Sequence, residues 1–161
     1  MSRFFLALAL ALAFVAAAPA IWASPVPCST KAKPLIDVDH RYNNAPDGVD
    51  LVFHLLDSGA WTLKELDLDR TPPALVEVKG CFDAPAMSSL KGKLGRATWK
   101  VTHSDPCTAM KMDAQSYAVG GKQVWVAMQC SGEQLDAASA NAIHAIDALL
   151  EAARSGNKKQ P

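Results

Sequence analysis

A histidine, a cysteine and two methionines lie close together in the chain, and such residues can bind a soft metal ion. Their spacing is His103-x3-Cys107-x2-Met110-x-Met112. Thioether sulfur and imidazole nitrogen suit Cu(I), and two methionines separated by one residue can point the same way on an extended segment. Cys107 is expected to be oxidised. The alternative hypothesis is therefore a Cu(I) site formed by His103, Met110 and Met112, whereas the function that we favour needs no metal and no cofactor.

Asp57 follows two leucines at the start of a tight turn, and a carboxylate in this position can take part in acid–base catalysis. The segment 55–60 reads LLDSGA. It resembles the active-site turn of retropepsin-like aspartic proteases, in which two such turns share one proton and activate a water molecule. The resemblance implies, as a second alternative, a homodimeric aspartic protease with Asp57 as its catalytic residue. Asp-Ser-Gly is also an ordinary turn sequence, and we favour a structural role for it.

The chain has four cysteines, and the pattern favours disulfides over a metal site. They are Cys28, Cys81, Cys107 and Cys130. An even number of cysteines in an exported chain indicates two disulfides. Three pairings are formally open, and we predict Cys28–Cys81 together with Cys107–Cys130. No Cys-x-x-Cys pair occurs, which argues against zinc.

The first residues have the composition of an export leader. Arg3 is its only charged residue, residues 4–18 contain no polar side chain, and small residues follow around Ala20 and Ala23. This pattern predicts a secretory signal peptide over residues 1–23, cleaved after Ala20 or Ala23. The apolar run is shorter than the ~20 residues that a membrane-spanning helix needs. We therefore expect a periplasmic or secreted protein without a membrane span after cleavage.

Positive charge is concentrated in one part of the chain, although the chain carries 16 basic and 16 acidic residues in total. Residues 31–83 hold 6 basic and 10 acidic side chains, whereas residues 84–129 hold 6 basic and 2 acidic ones. The following residues supply most of this positive charge and are called the basic segment: Lys91, Lys93, Arg96 and Lys100. No nucleic-acid-binding motif accompanies them. They form either a solvated face or a surface for an acidic envelope or secreted protein.

Trp125 is a second candidate for partner binding. It lies in a hairpin that we predict around Gly120-Gly121, and its side chain points away from the face of Val124, Val126 and Met128. If the helix of this domain covers the valine face, Trp125 is exposed and can anchor a partner. If another layer covers the tryptophan face, Trp125 belongs to the core.

The periodicity of apolar residues predicts short strands followed by one long helix. The predicted strands are 35–42, 49–56, 74–82, 97–103, 116–119 and 123–130, although 49–56 also fits a helix face. Residues 84–96 contain Pro85, Gly92 and Gly95, which predicts a loop or a single helical turn. Glu133–Arg154 has the apolar stripe of a helix. Ser131 and Gln134 form a capping box before it, and Gly156 is the predicted stop.

Together these elements predict an α+β domain: an antiparallel β-sheet of about five to seven short strands, packed by one long C-terminal helix and stabilised by disulfides. Residues 24–34 would form an extended arm, 35–156 the single domain and 157–161 a disordered tail. The sequence contains no Gly-x-Ser-x-Gly, His-Glu-x-x-His or phosphate-binding glycine motif. We therefore expect a small exported, non-catalytic protein-binding module, such as an inhibitor, an immunity protein or an envelope accessory protein.

Overall fold

In the part of the chain that the structure describes, six strands form one antiparallel sheet and two helices pack against it. The computed structural model describes residues 28–41, 49–104, 113–128 and 132–157. The elements, in chain order, are β1 (Pro34–Arg41), β2 (Leu51–Leu56), β3 (Ala60–Asp67), β4 (Ala74–Cys81), α1 (Ala84–Leu94), β5 (Val101–His103), β6 (Ala114–Val119), β7 (Lys122–Met128), β8 (Gln134–Leu135) and α2 (Ala137–Asn157). The large sheet has the order β4-β3-β2-β1-β6-β7, and β5 pairs with β8 separately. The predicted α+β fold is confirmed.

The core lies between one face of the large sheet and the two helices. Leu51, Phe53 and Leu55 alternate as buried residues along β2, which confirms a strand where the sequence also fitted a helix. The apolar stripe of α2 packs into the same cluster through Ile146 and Leu150. Because α1 and α2 both join this one cluster, neither of the two described helices lies on the opposite face of the sheet.

Residues 84–94 form a helix of 11 residues where the sequence predicted a loop or a single turn. Asp83 caps it, since its Oδ1 accepts a hydrogen bond from the backbone N–H of Ala86 at 2.8 Å. Pro85 is tolerated because the first turn of a helix needs no intrahelical N–H donor. Gly92 costs the helix only about 1 kcal/mol. The helix buries two apolar side chains, Met87 and Leu90.

The strand predicted over 97–103 is shorter than its alternation indicates. Only Val101–His103 is extended, and it pairs with β8. Trp99 has a φ of 56°, a left-handed conformation that an extended strand does not contain. Its backbone N–H donates to Ser139 Oγ at 2.7 Å. A contact from α2 therefore overrides the local strand pattern.

The C-terminal helix is confirmed, with shifted ends. It begins at Ala137 rather than at Glu133, because the residues before it pair with β5 and Asp136 provides the cap. It continues past the predicted stop at Gly156 to Asn157, so the predicted tail 157–161 begins one residue too early. Residues 158–161 lie outside the described residues.

The predicted disulfide Cys28–Cys81 is confirmed; it joins residues 53 positions apart. It ties the segment before β1 to the end of β4, and such a bridge typically stabilises a fold by ~2–4 kcal/mol. Cys107 and Cys130 lie outside the described residues, as does the predicted signal peptide 1–23. No described helix is long and apolar enough to cross a membrane.

The indole ring of Trp61, on β3, lies against the backbone of the edge strand β4 at Gly80. Its ring centroid is 6.5 Å from that of Phe53 and 5.8 Å from that of Phe82. Trp61 and Gly80 are paired in the β3–β4 ladder, and a Cβ atom on Gly80 would overlap the indole ring. Because the two phenylalanines flank the indole, it has little freedom to move aside. The absence of a side chain at Gly80 therefore lets β4 close against the core.

We expect Gly80→Ala to lower the free energy of unfolding by about 1–3 kcal/mol, the usual cost of overpacking. Gly92→Ala is the matched control, since a Cβ there meets no atom within 4 Å. It should raise the free energy of unfolding by up to about 1 kcal/mol, because alanine favours a helix more than glycine does. Urea denaturation measures both changes, and equal stability of the two variants would contradict this account.

Candidate functional site

The basic segment follows the second half of α1 and the connector that leads to β5. Lys91 and Lys93 lie in the last turn of α1, where their charge is favourable next to the C-terminal carbonyls. Arg96 follows the cap at Gly95, and Lys100 directly precedes β5. From Ala84 to Ser104 the sequence contains no acidic residue. The four predicted cations therefore lie within one ten-residue segment, along the end of α1 and the connector.

Lys91 is held by a partner within the domain. Its Nζ lies 2.8 Å from Asp57 Oδ1 and donates to the Asp57 backbone carbonyl at 2.9 Å. Among the residues that the structure describes, the side chains of Lys93, Arg96 and Lys100 have no ion-pair partner. Three of the four cations thus remain uncompensated.

Asp136 and Ser139 fix the backbone that carries this charge. Asp136 Oδ1 accepts hydrogen bonds from the backbone N–H groups of Ala138 and Ser139, each at 3.1 Å, and so caps α2. Its Oδ2 accepts from Ser139 Oγ at 2.6 Å, from Thr98 Oγ1 at 2.8 Å and from the backbone N–H of Lys100 at 3.1 Å. These donors, led by the hydroxyls of Ser139 and Thr98, hold the pKa of the Asp136 carboxyl far below its ordinary value.

Ser139 completes this network from the helix side. It is fully buried, and its Oγ accepts the backbone N–H groups of Thr98 at 3.2 Å and Trp99 at 2.7 Å. A buried hydroxyl is costly unless it is hydrogen-bonded, and here it bonds in both directions. The connector before β5 is therefore attached to the N-terminus of α2 through backbone as well as side-chain atoms.

Trp125 lies on the sheet face that α2 covers. It pairs with Tyr117 across the β6–β7 ladder, and the two rings stack with centroids 5.6 Å apart. Tyr117 is buried and donates its hydroxyl to Asp147 Oδ1 of α2 at 2.9 Å. Burial is the main cause that raises the pKa of both Tyr117 and Asp147. Trp125 itself is partly buried against the core cluster. The interpretation of Trp125 as an exposed anchor requires that its face of the sheet is free of the helix, and α2 covers that face.

Asp57 lies in the hairpin turn between β2 and β3. Its side chain is 56% exposed and lines a groove of ≈ 700 Å³ together with Ser58, Ser88 and Lys91. A second acidic residue of the groove, Asp83, is engaged as the cap of α1. The nearest charged partner that the structure gives to the Asp57 carboxylate is therefore an ammonium group, whereas the protease chemistry uses a second carboxylate.

The proposed copper ligands lie mostly outside the described residues. Met110 and Met112 are there, together with Cys107, and His103 is the one member that the structure places, in β5. Within residues 28–41, 49–104, 113–128 and 132–157, no group of three or more His, Cys, Asp or Glu residues could hold a metal ion. The Cu(I) hypothesis therefore stays a prediction.

Sequence reasoning missed the partners of two histidines. His40 Nδ1 lies 2.7 Å from Asp50 Oδ1, and its Nε2 contacts Asp113. His54 Nδ1 lies 2.6 Å from Asp37 Oδ1. Both pairs join neighbouring strands, so only the register of β1 with its neighbours reveals them. Asp50 and Asp113 contact opposite ring nitrogens of His40, so this cluster joins the ends of three strands. Because the imidazole ring lies between the two carboxylates, they do not form a shared metal site.

Comparisons with known proteins do not add a function to this geometry. No protein-family model matches the chain, and neither the search of curated proteins nor the search of solved structures gives a match.

We expect Asp136→Asn to lower the melting temperature by several degrees at pH 7, because an amide cannot accept hydrogen bonds on both of its terminal atoms. A carboxyl with a lowered pKa stabilises the fold above its unfolded pKa of about 3.9, and this stability is lost as pH falls through the folded pKa. The difference from wild type should therefore shrink at strongly acidic pH. Calorimetry at neutral and acidic pH measures it.

The exposed Asp69→Asn is the control for this experiment. Its carboxylate makes no hydrogen bond or ion pair in the described part of the chain, so the variant should melt close to wild type at every pH. A melting difference for Asp136→Asn that is the same at both ends of the pH range would contradict the role of the ionised carboxylate.

Proposed function

We propose that this protein is a small exported, non-catalytic module that binds an acidic protein partner through the basic segment. The observation that carries the proposal is the absence of any acidic side chain pairing with Lys93, Arg96 or Lys100 in the described part of the chain. A partner with complementary negative charge would supply the missing counter-charges. Such complementarity raises the association rate and selects among partners.

The rigidity of the connector supports the proposal. Association costs less free energy when the binding surface is already ordered. Asp136 and Ser139 hold the backbone of Thr98, Trp99 and Lys100 from the helix side, and the C-cap of α1 holds the backbone before Arg96. The cations are thus presented from a fixed frame, which suits occlusion of a partner's surface by an inhibitor, an immunity protein or an envelope accessory protein.

Export is supported by two independent features. The predicted leader has the three parts of a signal peptide, and Cys28–Cys81 is a disulfide, a bond that persists in oxidising compartments. These two features support our proposal that the protein acts in the periplasm or outside the cell. Its partner would be an envelope or secreted protein, and no feature of the basic segment favours nucleic acid.

The test is a triple charge reversal, Lys93→Glu with Arg96→Glu and Lys100→Glu, in the mature chain. Immobilised wild-type protein is incubated with envelope and secreted fractions, and the retained proteins are quantified by mass spectrometry. We expect acidic proteins captured by wild type to fall by about tenfold or more with the variant, because charge pairs across an interface are coupled. Rising salt should weaken the wild-type complex in parallel.

The matched control reverses three other exposed lysines, Lys31, Lys33 and Lys122. It changes the net charge by the same amount while leaving the basic segment intact, so it should retain the same partners as wild type. If the triple variant and the control retain the same proteins as wild type, the basic segment does not bind the partner and the proposal is wrong.

A further inference from the structure

The face of the large sheet opposite the helices is called the open face. The ladder places its side chains in rows across the strands. One row joins Asp39, Val52 and Lys64, and the next joins Asp37, His54 and Thr62. The rows extend to both edges of the sheet, through Glu77 and Lys79 on β4 and through Ser116 and Val126 on β6 and β7.

The open face has the size and mixed polarity of a protein interface. The five strands from β4 to β6, which overlap when β1 of one copy lies over β3 of another, are about 4.8 Å apart and about six residues long at about 3.3 Å each. They give a plan area of about 480 Å² per copy, the low end for a specific interface. Apolar side chains lie between the charged ones. Val52, Leu66 and Val126 are partly exposed, and Leu75 is 41% exposed. Val52 lies on β2 in the middle of the sheet, whereas Leu75 and Val126 lie on the edge strands β4 and β7.

Charge is distributed unevenly across this face. Asp37 and Asp39 lie on β1, whereas Lys64 and Lys79 lie on β3 and β4 and share the single carboxylate of Glu77, at 3.2 and 2.6 Å. Asp37 is engaged by His54. Among the described residues, the Asp39 carboxylate has no ion-pair partner. Arg41 shares the face of Asp37 and Asp39 on β1, so the β1 side of the central strand β2 carries two acidic and one basic side chain, a net charge of −1. The β3–β4 side, with Lys64, Lys79 and Glu77, carries a net charge of +1.

This pattern is complementary to itself. A two-fold axis parallel to β2 exchanges the two sides of the face, because it brings β1 of one copy over β3 of the other. Asp39 of each copy would then lie opposite Lys64 of the other, with Val52 at the centre. A symmetric interface requires such self-complementarity.

We infer that a second copy of this chain packs on the open face and forms a two-fold dimer. The sheet-to-sheet contact buries Val52 and pairs Asp39 with Lys64 of the second copy. The inference is independent of the partner proposed for the basic segment, since α1 lies on the opposite face of the sheet. The dimer would present two basic segments, one on each outer side.

Sedimentation velocity of the mature disulfide-bonded chain, at concentrations from micromolar upward, tests the inference. Wild type should sediment as a dimer. Asp39→Lys and Lys64→Asp should each weaken the dimer by about tenfold or more, because each places like charges opposite one another. The double variant Asp39→Lys with Lys64→Asp should restore it, since the exchanged charges are again complementary.

Two further variants separate the interface from folding and from partner binding. Leu75→Glu changes a side chain that is already exposed in the single chain, so circular dichroism should show an intact fold while the dimer weakens. Lys93→Glu, on the helix side, should leave the dimer unchanged. Sedimentation of wild type as a monomer at every concentration would overturn the inference, as would a dimer that Asp39→Lys, Lys64→Asp and Leu75→Glu all leave intact.

Discussion

The carboxylate of Asp136 joins two segments that are far apart in the sequence. It caps α2 through the backbone of Ala138 and Ser139, and it binds Thr98 and Lys100 in the connector before β5. Hydrogen bonds to an ionised acceptor are stronger than those between neutral groups, and five donors meet this one carboxylate. The position of α2 over the sheet and the course of the connector therefore depend on the same charged group, and the backbone of Lys100 is held directly by it.

The nearly neutral net charge of the chain conceals a separation of charge between layers. The acidic excess lies mainly on the strands and turns of β1–β4, whereas the basic segment lies on α1 and the connector. Over distances beyond about 10 Å, salt screens the attraction between exposed charges, so the two regions do not neutralise one another. Lys91 and Asp57 are the exception, because the β2–β3 turn brings them to 2.8 Å. A surface can thus be locally basic in a protein whose total charge is balanced.

Local patterns predicted the parts of the fold that one segment determines by itself. The alternation Leu51-Phe53-Leu55 marks β2, and the stripe around Ile146 marks α2, because in each case the buried side follows the period of the element. The sequence-based prediction missed α1, since Pro85 and the glycines indicated a loop while the cap at Asp83 and the burial of Leu90 favour a helix. It also missed the turn of the backbone at Trp99 and the partners of His40. These depend on Ser139, Asp50 and Asp113, whose approach no short window of sequence contains.

The two proposed binding surfaces, the basic segment and the open face, lie on opposite sides of the large sheet. In the part of the chain that the structure describes, both helices pack on one face of the large sheet and neither packs on the other, and α1 lies on the covered side with the core cluster. If two copies join through their uncovered faces, their basic segments are held apart on opposite outer sides, and no single acidic patch can contact both. A partner that is itself multivalent or displayed on a surface would then bind both copies, and the second contact would form at the effective concentration set by the rigid dimer. The basic segment would then strengthen binding in two ways: each copy forms its own charged contacts, and the rigid dimer holds the second copy close to its site once the first has bound.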